Sequence, residues 1–251
     1  MDEANADAVD HEEPNAESEN FTVAVRVRPL NARELEAGSK TAWKVKGDTI
    51  TSKAADSRES SFNFRHVFDE KSTTQGVYDS TTKGVVEATM QGFNGTVFAY
   101  GQTSSGKTHT MMGTNDNPGI LPLAIRDLFA HVRKTFDREF LIRVSYLEIY
   151  QECIRDLFQP ANADMKIHEH PQQGFYVKAT EIVVSSEEQI LKLMERGQEH
   201  RHVGQTNMNE QSSRSHTIFR ITIESKVEMV DENADPDADE DEVTAGPCGR
   251  G

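Results

Sequence analysis

The sequence predicts a layered α/β domain, a central mixed or parallel sheet flanked by helices. Three observations carry this. Alternating, β-branched segments recur between segments of helical apolar spacing. A short apolar run bounded by glycines, residues 96–100, has the length and composition of a parallel strand buried on both faces. A Gly- and Ser-rich loop over 101–108 then joins that run to a helix-forming segment.

Taken in order, residues 21–27 alternate apolar side chains and stop at Arg28-Pro29, where proline cannot continue a central ladder, so they read as a strand. Residues 31–61 mix Gly38, Gly47, Asp48 and several Ser and Lys around Trp43 and Ile50, which predicts loops and short edge strands, and 62–68 is a second strand. Val85, Val86 and Met90 give 77–90 a helical spacing that Gly92 and Asn94-Gly95 end. Residues 122–136 repeat apolar positions at Ile125, Leu128, Phe129, Val132 and Phe136, an amphipathic helix with Pro122 at its start. Residues 139–150 are β-branched and aromatic and read as strand. Ser185 with Glu188 predicts a capping box before Ile190, Leu191, Leu193 and Met194. Phe219, Ile221 and Ile223 alternate with polar residues and predict a last strand over 217–225.

The ends are of different composition. Residues 1–19 hold Asp2, Glu3, Asp7, Asp10, Glu12, Glu13, Glu17 and Glu19 with no Lys or Arg, and 227–251 include the acidic run 235–242. Both read as disordered acidic segments around one domain over 20–226. Each end carries eight net negative charges against −15 for the whole chain, so the stretch between is nearly neutral. It shows no dense basic block, which argues against a nucleic-acid partner. Two cysteines, Cys153 and Cys248, exclude a disulfide framework and fit a reducing, intracellular compartment. No apolar run is long enough for a membrane span, and the acidic start lacks the basic and apolar regions of a secretory signal.

Gly101-Gln102-Thr103-Ser104-Ser105-Gly106-Lys107-Thr108 matches the whole phosphate-loop pattern between a strand and a helix. Glycines let backbone N–H groups turn toward a β-phosphate, Lys107 reaches the β- and γ-phosphates, and the Thr108 hydroxyl can ligate Mg²⁺. The fold class is thus a phosphate-loop NTPase of three layers, binding a nucleoside triphosphate with Mg²⁺. Farther on, Asn209-Glu210-Gln211-Ser212-Ser213-Arg214-Ser215-His216 gathers hydroxyls, an amide and a guanidinium in one loop. Such groups can complete a Mg²⁺ shell or hold an attacking water, and equally they suit an ordinary polar connection.

Together the two loops resemble the paired signatures of the kinesin motor family. So do Arg26-Val27-Arg28-Pro29, Phe93-Asn94-Gly95-Thr96 and Ser145-Tyr146-Leu147-Glu148-Ile149-Tyr150, and the resemblance covers 21–226. It implies ATP and Mg²⁺ as cofactors and microtubules as partner, with ATP hydrolysis driving microtubule-based movement in the cytoplasm and cytoskeleton. By the same resemblance, Arg26, Pro29, Phe93 and His109 border adenine and ribose; Phe93 stands where the family often has Tyr. Ser212 and Ser213 sense Mg²⁺ and the γ-phosphate, Ser213 joining Thr108 as a metal ligand. Asn209 places the attacking water, and Arg214 latches to a second switch. Met111-Met112-Gly113, Arg201-His202-Val203-Gly204 and Thr217-Ile218-Phe219-Arg220 are most similar to the centromere-associated subfamily, which implies a spindle or kinetochore location.

A kinesin head continues into a further strand, a second switch of the form Asp-x-x-Gly-x-Glu and tubulin-gripping helices. These 251 residues contain no such switch, so the expectation is an incomplete head. Any homodimer would form through a coiled coil outside this chain. The alternative is a non-motile, kinesin-like module that binds nucleotide or a partner; a small-molecule phosphotransferase shares only the phosphate loop. His168-Glu169-His170 and His200-Arg201-His202 lack the partners and spacing of a zinc site and read as structural or surface residues. Glu148 and Glu152, placed in a strand-to-helix region, read as hydrogen-bonding residues rather than paired catalytic acids, and Cys153 as packed core.

Overall fold

The computed structural model describes residues 21–52, 60–172, 174–201 and 215–227. The acidic segments expected over 1–19 and 227–251 lie outside these stretches, except for Val227, which closes the last strand.

β1 (Ala24–Arg26) is shorter than the strand expected over 21–27. A short helix, α1 (Ala32–Glu36), stands where the sequence suggested only loops and edge strands. A reciprocal cap fixes its start: Asn31 Oδ1 accepts from Glu34 N at 2.9 Å, and the Glu34 carboxylate accepts from Asn31 N at 2.8 Å. β2 (Trp43–Lys46) and β3 (Thr49–Ser52) form a hairpin over Gly47, and β4 (Ser61–Asn63) adds antiparallel to β3. β5 (His66–Phe68) pairs in parallel with β1. The single strand expected over 62–68 is therefore two strands in two sheets. The chain turns between them, with Phe64 N donating to the Asp48 carbonyl at 3.0 Å.

The helix expected over 77–90 starts earlier and is broken. Thr73 Oγ1 caps α2 (Thr74–Thr81), and α3 (Lys83–Met90) follows after Thr82. At the break Thr81 Oγ1 donates to the Val77 carbonyl at 2.7 Å, the back-bonding by which a hydroxyl bends a helix. After α4 (Lys107–Met111), helix α5 (Ile120–Val132) carries Pro122 at its third position, where a missing N–H breaks no intrahelical bond. It ends at Val132, so Phe136, expected on its apolar face, is exposed.

One expected element is absent. Residues 96–100 are not a buried parallel strand: they join no ladder, and Phe98 and Tyr100 are 66% and 95% exposed. A strand exists through its neighbours' hydrogen bonds. Among the described residues, β1 pairs with β5 alone and the other strands pair elsewhere, leaving 96–100 no partner.

The second half is built on β6 (Arg138–Tyr150), as expected, and is mostly antiparallel. A tight turn through Gln151 and Glu152, both at positive φ, leads to β7 (Cys153–Asp156) paired back on β6. The region of Glu148 and Glu152 is thus strand-to-strand, because β7 hydrogen-bonds to β6 instead of coiling. β8 (Ile167–His170) and β9 (Gly174–Val177) form a separate hairpin. β10 (Ile182–Val184) pairs with one edge of β6. α6 (Glu187–His200) is capped by Ser186, one residue after the expected Ser185, while the Gln189 side chain accepts from Ser185 N at 2.8 Å. β11 (Ser215–Val227) covers β6 along its full length, from Ser215 opposite Tyr150 to Val227 opposite Arg138.

The main core lies between this sheet and the helices α5 and α6. Ile142, Val144 and Tyr146 of β6 meet Ile125, Leu128 and Phe129 of α5 and Ile190 and Met194 of α6. The approach of α6 is close: a Cβ on Gly197 would lie 2.4 Å from Tyr146 Cδ1. A smaller cluster, Val77, Tyr78, Ile120 and Leu123, joins α2 to α5, reinforced by Tyr78 donating to Asp127 at 2.8 Å.

Asp156 ties the end of β7 to two loops. Its buried carboxylate accepts from the backbone N–H groups of Phe158 at 2.9 Å, Gln159 at 3.2 Å and Thr180 at 2.7 Å. Replacing Asp156 by Ala strands these donors and is expected to lower unfolding stability by about 1–3 kcal/mol, read as a lower urea midpoint with an unchanged slope.

Candidate functional site

The phosphate loop leaves the exposed run 96–100 and ends on α4. Gly106, at φ +97, turns the chain into that helix in a conformation that favours glycine, and Ser104 holds a left-handed φ of +63. A Cβ on Gly101 would come within 2.6 Å of Ser105 Oγ, so glycine lets the two ends of the loop approach closely. Lys107 folds back over the loop, its Nζ donating to the carbonyls of Gly101 at 2.6 Å and Gln102 at 2.8 Å. The ammonium therefore already lies against the loop's backbone. Thr108 and His109 are exposed on the first turn of α4. A left-handed glycine, a space that a Cβ would fill, a folded-over lysine and an exposed threonine hydroxyl together fit a polyphosphate with its metal.

The base-binding candidates separate on inspection. The Arg26 guanidinium is turned inward, donating to Thr74 Oγ1 at 3.1 Å, Thr110 Oγ1 at 3.0 Å and the Ser72 carbonyl at 3.2 Å. It stitches β1 to the start of α2 and to α4, and its partial burial lowers its pKa. Arg26 thus supports the site from behind. Pro29 is exposed, and its carbonyl accepts from Arg28 at 2.9 Å. Phe93 is exposed beyond the turn that ends α3, its N–H bonded to the Ala88 carbonyl. Asn209, Ser212, Ser213 and Arg214 lie outside the described residues.

Sequence reasoning passed over Arg28, the neighbour of a named candidate. Its Nε donates to the Ser104 carbonyl at 2.8 Å, and its two terminal nitrogens meet both Glu34 oxygens at 2.6 and 2.7 Å. The available signal was Asn31-x-x-Glu34, which sets a helix start three residues past Arg28. Glu148 is a second residue read too lightly. It is fully buried in β6, 3.7 Å from Arg201, whose guanidinium also donates to Ser215 Oγ at 3.0 Å. Arg201 and Ser215 flank residues 202–214, so their hydrogen bond joins the two flanks, while the ion pair ties Arg201 to β6.

Of the histidines weighed as metal ligands, His202 lies outside the described residues and two others have local contacts. His168 stacks on Tyr176 across the β8–β9 hairpin, and His200 Nδ1 lies 2.8 Å from the Leu157 carbonyl. Cys153 is half-buried at the start of β7.

Comparison with known proteins points one way. A family model described as "Kinesin motor domain" matches residues 26–242. Kinesin-like protein KIN-7D, chloroplastic, of Oryza sativa subsp. japonica is 49% identical over 214 residues, 85% of this chain. Kinesin-like protein KIN-7O of Arabidopsis thaliana is 46% identical over 215 residues, also 85%. The chain spans only 21% and 16% of the length of these two relatives. A solved structure described as a fast kinesin superposes with a TM-score of 0.77 at 42% identity, over 82% of this chain and 60% of that one. A KIF14 dimer with AMP-PNP, in complex with a microtubule, gives 0.77 at 34% identity, over 84% and 63%. The α/β phosphate-loop fold is therefore the one these structures share. The relatives named here are plant KIN-7 kinesins, and their names give the centromere-associated assignment no support.

The Glu34 carboxyl is held down to about 2 from its ordinary 4.5, chiefly by the hydrogen bond from the Arg28 side chain and then by that from Asn31 N–H. A lowered carboxyl pKa means the ion pair is complete above pH 4.5 and is lost as pH falls toward 2. A carbon-detected NMR titration of the Glu34 side chain is expected to place its midpoint well below the ordinary carboxyl value of 4.5.

Proposed function

The chain belongs to the kinesin motor-domain family, and on that premise we propose that it forms the nucleotide-binding part of an ATP-driven microtubule motor head. The observation that carries this reading is the phosphate loop, folded over by Lys107 and lying within the matched stretch 26–242. The resemblance to a structure determined with AMP-PNP on a microtubule supports it.

MgATP supplies the phosphoanhydride whose hydrolysis releases the free energy. The chain's own residues bind and orient it. Lys107 exchanges the Gly101 and Gln102 carbonyls for β- and γ-phosphate oxygens, a substitution that leaves its charge compensated throughout. The loop's amides left without an internal partner would offer their partial charge to the same anion, and Thr108 would offer its hydroxyl to Mg²⁺. Pro29, Phe93 and His109 border the base and sugar, while Arg26 holds α4 against β1. Ser213 is the second metal ligand, Asn209 places the water and Arg214 answers to a second switch. Loss of the γ-phosphate contacts then becomes an order-to-disorder change that a microtubule surface can read.

On this reading the protein works on the cytoskeleton. The finer kinship with centromere-associated kinesins, and with it a spindle or kinetochore location, rests on Met111-Met112-Gly113, Arg201-His202-Val203-Gly204 and Thr217-Ile218-Phe219-Arg220 alone. The unpaired run 96–100 favours a second reading, a non-motile module that binds nucleotide without converting it to movement.

Steady-state ATPase with and without microtubules separates the two. Measured on this chain and on one extended through the second switch, motor function predicts turnover that rises with microtubule concentration in the extended chain; nucleotide binding with no stimulation in either leaves the module. Lys107→Ala removes the main side-chain charge facing the phosphates and is expected to weaken MgATP by about 100-fold or more in a folded protein, measured by fluorescent-nucleotide titration. Unchanged affinity would remove Lys107 from the site.

A further inference from the structure

We propose that Arg28 is a positioning residue for the phosphate loop, holding the Ser104 carbonyl while Glu34 holds Arg28. The inference rests on the phosphate loop being the nucleotide site, and it gives Arg28 a different task from contact with the base.

The guanidinium is almost wholly engaged. Nε donates to the Ser104 carbonyl at 2.8 Å, one terminal nitrogen donates to Glu34 Oε2 at 2.7 Å and to the Pro29 carbonyl at 2.9 Å, and the other donates to Glu34 Oε1 at 2.6 Å. Of its five N–H groups, four are thereby assigned. Two parallel bonds to one carboxylate fix the plane of the fork, and the fork's remaining edge then meets Ser104. Glu34 is fixed in turn, because the same Oε2 accepts from Asn31 N at 2.8 Å within the cap of α1. The chain of contacts therefore runs from a helix start, through a carboxylate and a guanidinium, to one carbonyl of the loop.

That carbonyl is well chosen. Ser104 is a non-glycine residue at φ +63, a left-handed conformation that persists only where its surroundings hold it. The turn at Ser104 sets which way the next amides, Ser105 and Gly106, face. The loop's other internal ties are the Lys107 contacts and a long Ser105 N to Gln102 carbonyl bond of 3.3 Å. A polyphosphate draws Lys107 away from those carbonyls, whereas Arg28 is already committed to the Glu34 carboxylate and the Ser104 carbonyl. Arg28 is then the tie that remains when ligand is bound, so its contribution should appear in affinity for the phosphate chain itself, with or without a base.

The test uses the 251-residue chain as parent, Arg28→Lys and Glu34→Gln, with MgATP and magnesium tripolyphosphate as probes, both read by displacement of a fluorescent nucleotide. Lysine keeps the charge and loses the fork. The expected result is that Arg28→Lys weakens both probes by a common factor of about 10, with an unchanged thermal midpoint. Glu34→Gln should weaken both by a smaller common factor, and adding it to Arg28→Lys should change neither affinity further, because the two side chains act through one contact. Tripolyphosphate affinity within about 2-fold of the parent while MgATP weakens would show a direct base contact and overturn the proposal. Unchanged affinity for both probes would overturn it too, and additive losses in the double variant would overturn the part given to Glu34. If Arg28→Lys fails to fold, Glu34→Gln alone decides between the same outcomes. A parent that binds no MgATP overturns the nucleotide reading together with this inference, a result distinct from a binding parent with indifferent variants.

Discussion

The described structure depends on one ladder. β6 lends one edge to β11 for thirteen residues and the other to β10 and β7, while Ile142, Val144 and Tyr146 on one face receive α5 and α6. Because side chains alternate strictly along a strand, a slip of one residue between β6 and β11 would turn Phe219, Ile221 and Ile223 away from that core. Register is thereby fixed from both directions, by the apolar face and by the ring contact of Tyr146 with Phe219 at 5.2 Å. With the ladder set, Arg201 and Ser215 come together, and so do the flanks of the segment that carries Asn209 to Arg214.

A buried Glu148 beside Arg201 is a costly way to add stability, since both groups leave water and an apolar pair of equal volume would serve as well or better. Its value lies in direction. Arg201, tied both to Glu148 of β6 and to Ser215, links the end of α6 to the start of β11. The same division holds on the other side of the molecule, where Arg26 orders β1, α2 and α4 through hydroxyls and a carbonyl while the apolar contacts of Val77, Tyr78, Ile120 and Leu123 hold α2 to α5.

Much of this was legible in the sequence wherever the signal is local. The phosphate loop, β6, the apolar faces of α5 and α6 and the last strand follow from spacing and composition. The failures have physical causes. Residues 96–100 have the composition of a buried strand, but burial needs neighbours that composition does not supply. The split of 77–90 into α2 and α3 turns on one threonine hydroxyl, α1 on a cap with no apolar periodicity behind it, and the start of α6 on a one-residue choice of cap. β7 returns to β6 through two non-glycine residues at positive φ, a turn with no glycine to announce it. At the site, Lys107 and Thr108 could be placed from the motif, whereas the inward turn of Arg26 and the reach of Arg28 to Ser104 link residues 46 to 84 positions apart.

The open aromatic run before the phosphate loop has a consequence for the protein's behaviour in solution. Val97, Phe98 and Tyr100 stand in water, with Phe21 against Phe98 at 6.3 Å, and this small apolar surface feeds directly into the nucleotide loop. Anions that are strongly excluded from protein surfaces, such as sulfate and phosphate, drive such surface to seek cover. The same anions resemble what the adjoining loop is shaped to hold. On the proposed function, a lyotropic salt would act on this molecule twice, as a competitor at the loop and as a force covering the apolar surface beside it, and chloride buffers are the medium that would keep the two effects apart.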